Sequence, residues 1–242
     1  MQNENLIGRR RFFGWVRSPL WLRQHHLWWA VIKRGRSRAQ RYVIPQLRHS
    51  GRGTPSVDKR QRQLGANEQV HPGEDPARRA CLASNAQTPF ASVLSCSDSR
   101  CPPELLFDQG LGDLFVARVA GNTASGRLID SLLLGTEDLG TRLLFVLGHS
   151  SCGAVAAAVG SWPFGNPRLP FVNLILPAVT NARKIVKNNG GNPNDPAQVI
   201  PVATVQNVLL TVKELKTYFG LNSSQVKGGV YDLGTQLVSL VN

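Results

Sequence analysis

No stretch of the chain reaches the roughly 18–20 consecutive apolar residues that a membrane-spanning helix needs, which argues against an integral membrane protein. Cysteine is sparse as well. Four residues (Cys81, Cys96, Cys101 and Cys152) in a chain of 242 make no disulfide scaffold, and a metal site or reactive thiols are better uses for them. Acidic residues are few, 15 against 28 Lys and Arg, and the net charge of +13 taken alone invites a nucleic-acid or anionic-surface function. Its distribution argues otherwise. Residues 1–70 carry 15 Lys/Arg and 3 Asp/Glu, a net of +12, whereas residues 71–242 carry 13 and 12, a net of +1. The chain therefore reads as a basic leader, 1–70, followed by a near-neutral domain, 71–242. Hydrophobic residues at 42% against 18% charged supply a sizeable core and argue against global disorder.

The leader has poor periodicity. Trp15, Trp21, Trp28 and Trp29 are scattered among Arg and His, and GRGTPSVDKRQRQ at 51–63 reads as a polar loop. GRRRFFG at 8–14 partly resembles a twin-arginine export signal, but Arg17, Arg23, His25 and His26 interrupt the apolar stretch that should follow. The favoured reading is that residues 14 to about 65 are not a selected structural segment and have the texture of a reading-frame change. An atypical export signal, or an arm for an acidic partner or nucleic acid, are the alternatives. Cytoplasmic residence is favoured over export, and no nucleic-acid partner is expected.

From His71 the texture is that of a globular α/β domain. PARRACLAS at 76–84 reads as a short helix with Pro near its first turn. The apolar runs FASVLSC (90–96), DLFVARV (113–119) and LLFVLGH (143–149) read as buried parallel strands. Between them lie a helix-like segment at 102–110 and a helix over 126–140 ending at Gly140. Residues 150–160 open a small-residue helix, and 163–170 form a loop. A helix or helix pair broken near Pro177 spans 171–187, a turn cluster follows at 188–196, and a long amphipathic helix runs from about Ala197 to Phe219. The end, 226–241, alternates like a last strand with a hairpin turn at 233–235. This alternation predicts a mostly parallel central sheet flanked by helices. No internal repeat is visible.

Cys96 and His149 both fall at carboxyl ends of predicted parallel strands, where open α/β sheets place ligand sites. Cys96, His149 and Cys152 offer two thiolates and an imidazole, and the carboxylate of Asp98 would complete four ligands suited to tetrahedral zinc. Singly, these residues read equally as buried thiols and a core histidine. The H-x-x-C spacing becomes a strong signal only beside the C-x-D-x-R loop at another strand end.

The stretch VLSCSDSRCPPELLFDQGLGDLFVARVAGNTASG at 93–126, with LGHSSCGAV at 147–155 and a closing GGVYDLGTQLVSL at 228–240, closely resembles the β-class carbonic anhydrases. The resemblance runs from about His71 to Val241, about 70% of the chain. It implies an α/β fold of the β-carbonic anhydrase kind, one Zn2+ per subunit, and a homodimer or higher homo-oligomer. The implied activity is reversible hydration of carbon dioxide to bicarbonate and a proton, by attack of a zinc-held hydroxide. Cys96, His149 and Cys152 match the metal ligands. Asp98 matches the residue that either completes the zinc shell or swings out to pair with an arginine, and Arg100 matches that arginine. Gln87 matches a glutamine that donates to substrate oxygen, and Phe115 an aromatic wall of the carbon dioxide pocket.

Departures from the family pattern are also present. Leu133 and Leu134 stand where many members have Glu-Tyr, Cys101 where Val is usual, and Val93 where a bicarbonate-inhibited subtype has Trp. Cys101 and Cys81 read as packing thiols, and His25, His26, His49 and His71 as non-ligands. Gly110, Gly112, Gly121 and Gly153 read as backbone necessities without chemistry of their own. The aperiodic leader, standing where the family has helices that wrap the partner subunit, predicts weaker dimerisation. A non-catalytic zinc-containing relative and a carbon disulfide or carbonyl sulfide hydrolase are the competing functions.

Overall fold

The computed structural model describes residues 68–220 and 225–241. The leader, with its tryptophans, paired arginines, loop 51–63 and His25, His26 and His49, lies outside the described residues. At the start of the described chain, the N–H groups of Val70 and His71 donate to the Asp108 carboxylate at 3.1 and 2.8 Å.

Helix α1 (Pro76–Ser84) starts as the sequence predicts, with Pro at N1 and the Asp75 carboxylate accepting from the Arg78 N–H at 2.9 Å. Strand β1 (Ala91–Ser95) is buried along its whole length, and a single turn, α2 (Pro103–Leu106), leads to β2 (Leu114–Arg118). After a 3-10 turn at Ala120–Asn122 come helix α3 (Gly126–Leu133) and β3 (Leu143–His149). Three helices follow: α4 (Gly153–Ser161), α5 (Phe171–Asn188) and α6 (Pro196–Phe219). The hairpin β4 (Val226–Tyr231) and β5 (Val238–Val241) closes the fold. The strand order is β2-β1-β3-β4-β5, parallel except for β5, so the predicted mostly parallel α/β sheet is what forms.

Side-chain parity divides the core. Leu94, Leu144 and Val146 point to one face, against Ile129, Leu132, Val208, Val212 and Leu215. Val93, Phe145 and Leu147 point to the other, with Cys101, Leu106, Phe107 and Tyr231. A third cluster ties α4, α5 and α6 together through Val155, Ile175, Val179, Val199 and Ala203.

The structure departs from the expected elements at three places. Helix α5 runs unbroken through Pro177, because Pro177 and Asn173 lie on the exposed face while Val172, Ile175, Ala178, Val179 and Ala182 stay packed. The helix expected to reach Gly140 widens after Leu133 into a turn closed by the Leu139 N–H on the Leu134 carbonyl, five residues back, at 2.9 Å. That turn delivers the Thr141 hydroxyl to within 2.8 Å of the buried Ser92 hydroxyl, which gives a polar residue in the central strand its partner. Cys81 is exposed, not packed. Helix α1 buries none of its residues and is held to the domain by Arg78, which donates to the Leu111 carbonyl and pairs with Asp113 at 2.9 Å.

Among the described residues, no helix is long and apolar enough to cross a membrane. Helix α6 lies so close on the sheet that a Cβ on Gly228 would meet Val208 Cγ1 at 2.6 Å and Val212 Cγ2 at 2.9 Å. Both neighbours are β-branched and stiff. Gly228→Ala is therefore expected to lower stability by about 1–3 kcal/mol in urea denaturation. Gly126→Ala, at a position with no atom within 4 Å of the added carbon, is expected to be neutral or slightly stabilising in the same measurement.

Candidate metal centre

Strands β1 and β3 run side by side with Ser95 opposite Leu147. Cys96, the residue after β1, and His149, the last residue of β3, therefore arrive at the same end of the sheet. Ser151 takes a left-handed conformation (φ 55°), which turns the chain sharply enough for Cys152 to cap α4 beside them. The turn is fixed to β4: the Ser150 N–H donates to the Tyr231 carbonyl at 2.8 Å, and the Ser150 hydroxyl accepts from the Leu233 N–H at 2.9 Å. The ligand atoms of Cys96, His149 and Cys152 all lie within 4.8 Å of one another, and all three residues are buried.

The chemistry of this set fits a zinc ion. The two sulfurs are 4.0 Å apart, against about 3.8 Å for two thiolates on one tetrahedral zinc. His149 Nδ1 is 2.9 Å from the Ser150 carbonyl, an oxygen that can only accept, so Nδ1 keeps its proton and Nε2 is the nitrogen open to a metal. Nε2 itself is buried with no hydrogen-bond partner, a costly arrangement unless something coordinates it. The hydrogen bond with Cys152, joined by His149, draws the Cys96 thiol down to about 4. The same bond and burial push Cys152 up. Burial opposes charge on His149, but the neighbouring thiols of Cys101 and Cys96 outweigh it and raise the imidazole to about 10.

Asp98 and Arg100 form the second half of the site. Asp98 Oδ1 accepts from the Arg100 backbone N–H at 3.0 Å and from Nε at 2.9 Å, while Oδ2 accepts from Nη2 at 2.7 Å. These bonds hold the carboxyl well below the usual carboxylate range. Of the two expected arrangements for Asp98, the structure has the one paired with Arg100. Oδ2 still faces the buried cluster, 3.8 Å from His149 Nε2.

Gln87 and Phe115 are not brought to this cluster within the chain. Gln87 is exposed in the loop before β1, whereas Cys96 follows its far end, and five strand residues separate the two by about 17 Å. Phe115 pairs with Ser92 near the start of β1, and its ring lies against Gly135.

Arg118 and Asn207 were not singled out in the sequence, and Gly121 was read only as a backbone necessity. Arg118, at the end of β2, donates through Nε to the Cys96 carbonyl at 2.9 Å and through Nη2 to the Asp98 carbonyl, so it braces the loop that carries both. Its signal was a lone charge inside an apolar strand run. The Gly121 N–H donates to Cys96 Sγ at 3.3 Å, and Asn207 of α6 donates to the Gly121 carbonyl at 2.7 Å. An amide in the buried stripe of a long helix was the available sign of Asn207.

Comparison with known proteins agrees with this geometry. The chain is 43% identical over 115 residues to a carbonic anhydrase of Mycolicibacterium smegmatis, covering 48% of this chain and 55% of that protein. It is 40% identical over 124 residues to carbonic anhydrase 2 of Mycobacterium tuberculosis, covering 49% and 59%. It thus spans little more than half the length of these curated relatives. In fold it is similar to a tetrameric β-carbonic anhydrase of Sordaria macrospora, with a TM-score of 0.57 at 23% identity, over 75% of this chain and 93% of that one. Residues 91–238 match the carbonic anhydrase family profile. With more than half of its length inside that profile, the chain belongs to the carbonic anhydrase family, in its β class.

Proposed function

We propose that this chain reversibly hydrates carbon dioxide to bicarbonate and a proton, with one zinc ion per subunit held by Cys96, His149 and Cys152. The observation that carries the proposal is the buried two-thiol, one-imidazole cluster with the ion-paired Asp98 carboxylate facing it. Zinc bound there would supply the positive charge that lowers the pKa of a water from 15.7 to about 7.

The chain's own residues do the rest. Arg100 keeps Asp98 ionised, so the carboxylate accepts a hydrogen bond from water and turns a lone pair of that water away from itself. Carbon dioxide is uncharged and needs no counter-charge to enter. Bicarbonate is an anion, and the Arg100 guanidinium, with half of its side chain exposed, presents positive charge where the product leaves. Arg118 keeps Asp98 at its post by holding the loop backbone.

Gln87 and Phe115 lie toward the other end of the β1–β2 pair, so in this reading they serve the site of a second copy. Two variants impaired in different halves, Arg100→Ala and Gln87→Ala, should regain activity when co-expressed and assembled together. Absence of any recovery would remove Gln87 from the site.

The test of the activity is stopped-flow carbon dioxide hydration by the purified chain, with and without a chelator. Zinc at one equivalent per chain and a hydration rate abolished by chelation are expected. A folded, zinc-loaded chain without hydration activity would mark a non-catalytic relative, and turnover of carbonyl sulfide or carbon disulfide in its place would mark a hydrolase. Cys152→Ser should lose zinc and solubility together, because metal binding is coupled to folding. Arg100→Ala should keep its zinc and lose roughly 10–100-fold in turnover. A fully active Arg100→Ala protein refutes the role given to Arg100.

A further inference from the structure

We infer that Asn207 is a positioning residue for the metal centre: through the Gly121 carbonyl it holds the Gly121 amide so that this N–H donates to the sulfur of Cys96. The inference rests on the zinc reading above and deepens it.

Gly121 opens a pair of left-handed residues. Its φ of 70° is left-handed, and the next residue, Asn122, is also left-handed at 45°. Gly takes this region freely, whereas Asn122 carries a side chain into it and relies on its surroundings to hold it there. Three helices close on Gly121. A Cβ on Gly121 would meet Ile175 Cδ1 of α5 at 2.7 Å and Ala154 Cβ of α4 at 3.1 Å, so the peptide is wedged between those helices. The third helix supplies Asn207, whose Nδ2 donates to the Gly121 carbonyl at 2.7 Å.

Asn207 is only 3% exposed, and Gly121 and Asn122 are buried as well. A buried amide in the middle of a 24-residue helix is unfavourable unless its hydrogen bonds are made in place. An apolar residue would fill the same stripe without that cost, so the position is explained by the bond rather than by packing. The bond has one consequence beyond its own satisfaction. With the carbonyl side of Gly121 pinned, its amide side points at Cys96 Sγ, 3.3 Å away. A hydrogen bond to a thiolate draws charge from the sulfur and fixes its lone-pair directions. Asn207, 86 residues from Gly121 in sequence, thereby couples α6 to the electron density on a metal ligand.

A direct test uses the full chain reconstituted with cadmium-113. Ala120–Gly121 is the single Ala-Gly pair in the sequence, so carbonyl-13C alanine with 15N-glycine selects the Gly121 amide alone. The expected result is a scalar coupling between the cadmium and the Gly121 amide proton, carried across the N–H···S bond. Asn207→Leu and Asn207→Asp, both of which remove the donor, should reduce the coupling and weaken zinc binding by roughly 10–100-fold in chelator competition. They should also shift the thiolate-to-cobalt absorption band of the cobalt-substituted protein. Thr211→Val, one turn further along the buried face of α6, should change none of the three. The wild-type coupling needs no variant to fold. A wild-type chain that binds cadmium without the coupling overturns the inference while leaving the metal reading intact. So do folded Asn207 variants with unaltered zinc affinity and band, or an equal loss in Thr211→Val. A wild-type chain that takes up no zinc, cobalt or cadmium overturns the metal reading and this inference with it.

Discussion

Everything at the site depends on the register between two parallel strands. With Ser95 opposite Leu147, the chain leaves β1 at Cys96 level with the end of β3 at His149. A slip of one residue would carry His149 to the opposite face of the sheet and move Cys96 along it by a residue length. The register is secured from both faces, by Leu94 and Val146 on one and Val93 and Leu147 on the other, all 1% exposed or less. The apolar packing of two central strands therefore sets the separation of two polar groups that have no affinity for an apolar core.

Those polar groups are in turn the least satisfied part of the interior. His149 Nε2 lacks a hydrogen-bond partner, and the two thiols face each other, with the Gly121 N–H as a further donor to Cys96. The surroundings are well provided for by comparison. Asp98 takes three hydrogen bonds from Arg100, Arg118 binds two loop carbonyls, and Ser150 is tied to both Tyr231 and Leu233. A rigid, satisfied frame around three under-satisfied donors is what an ion-binding cavity requires, because the frame cannot relax to quench the donors with one another.

How much of this could be read in the sequence depended on where each residue's partner lay. The seven-residue strand ending at His149 and the long helix to Phe219 were plain, since their signals are periodic apolar runs with caps close by. The meeting of Cys96, His149 and Cys152 was legible because two short motifs each place their residues at a strand end. Arg118 and Asn207 were not, because their partners are backbone carbonyls 20 to 86 residues away, and a carbonyl carries no sequence signal. Gly121 was read as a backbone necessity. It is one, but its amide also donates to Cys96 Sγ. Helix α5 shows the opposite failure: Pro177 is a strong local breaker, yet it falls on the exposed face and tertiary packing carries the helix through.

The charge balance of the centre explains why such remote contacts matter. Two thiolates would cancel the double positive charge of a bound zinc ion, and the adjacent Asp98–Arg100 pair is itself neutral. A zinc-loaded centre of that kind would carry little net charge with which to hold an anion. The same cancellation blunts the ion's power to acidify water, compared with a site built of three neutral histidines. Donors to sulfur work against that blunting, since each withdraws charge from a thiolate and leaves more on the metal. Gly121 supplies one such donor to Cys96, and Cys152 sits at the amino end of α4, where the helix dipole acts in the same sense. The polar contacts of α4 and α6 are therefore part of the site's chemistry, although α6 supplies no ligand and α4 supplies only the residue that caps it.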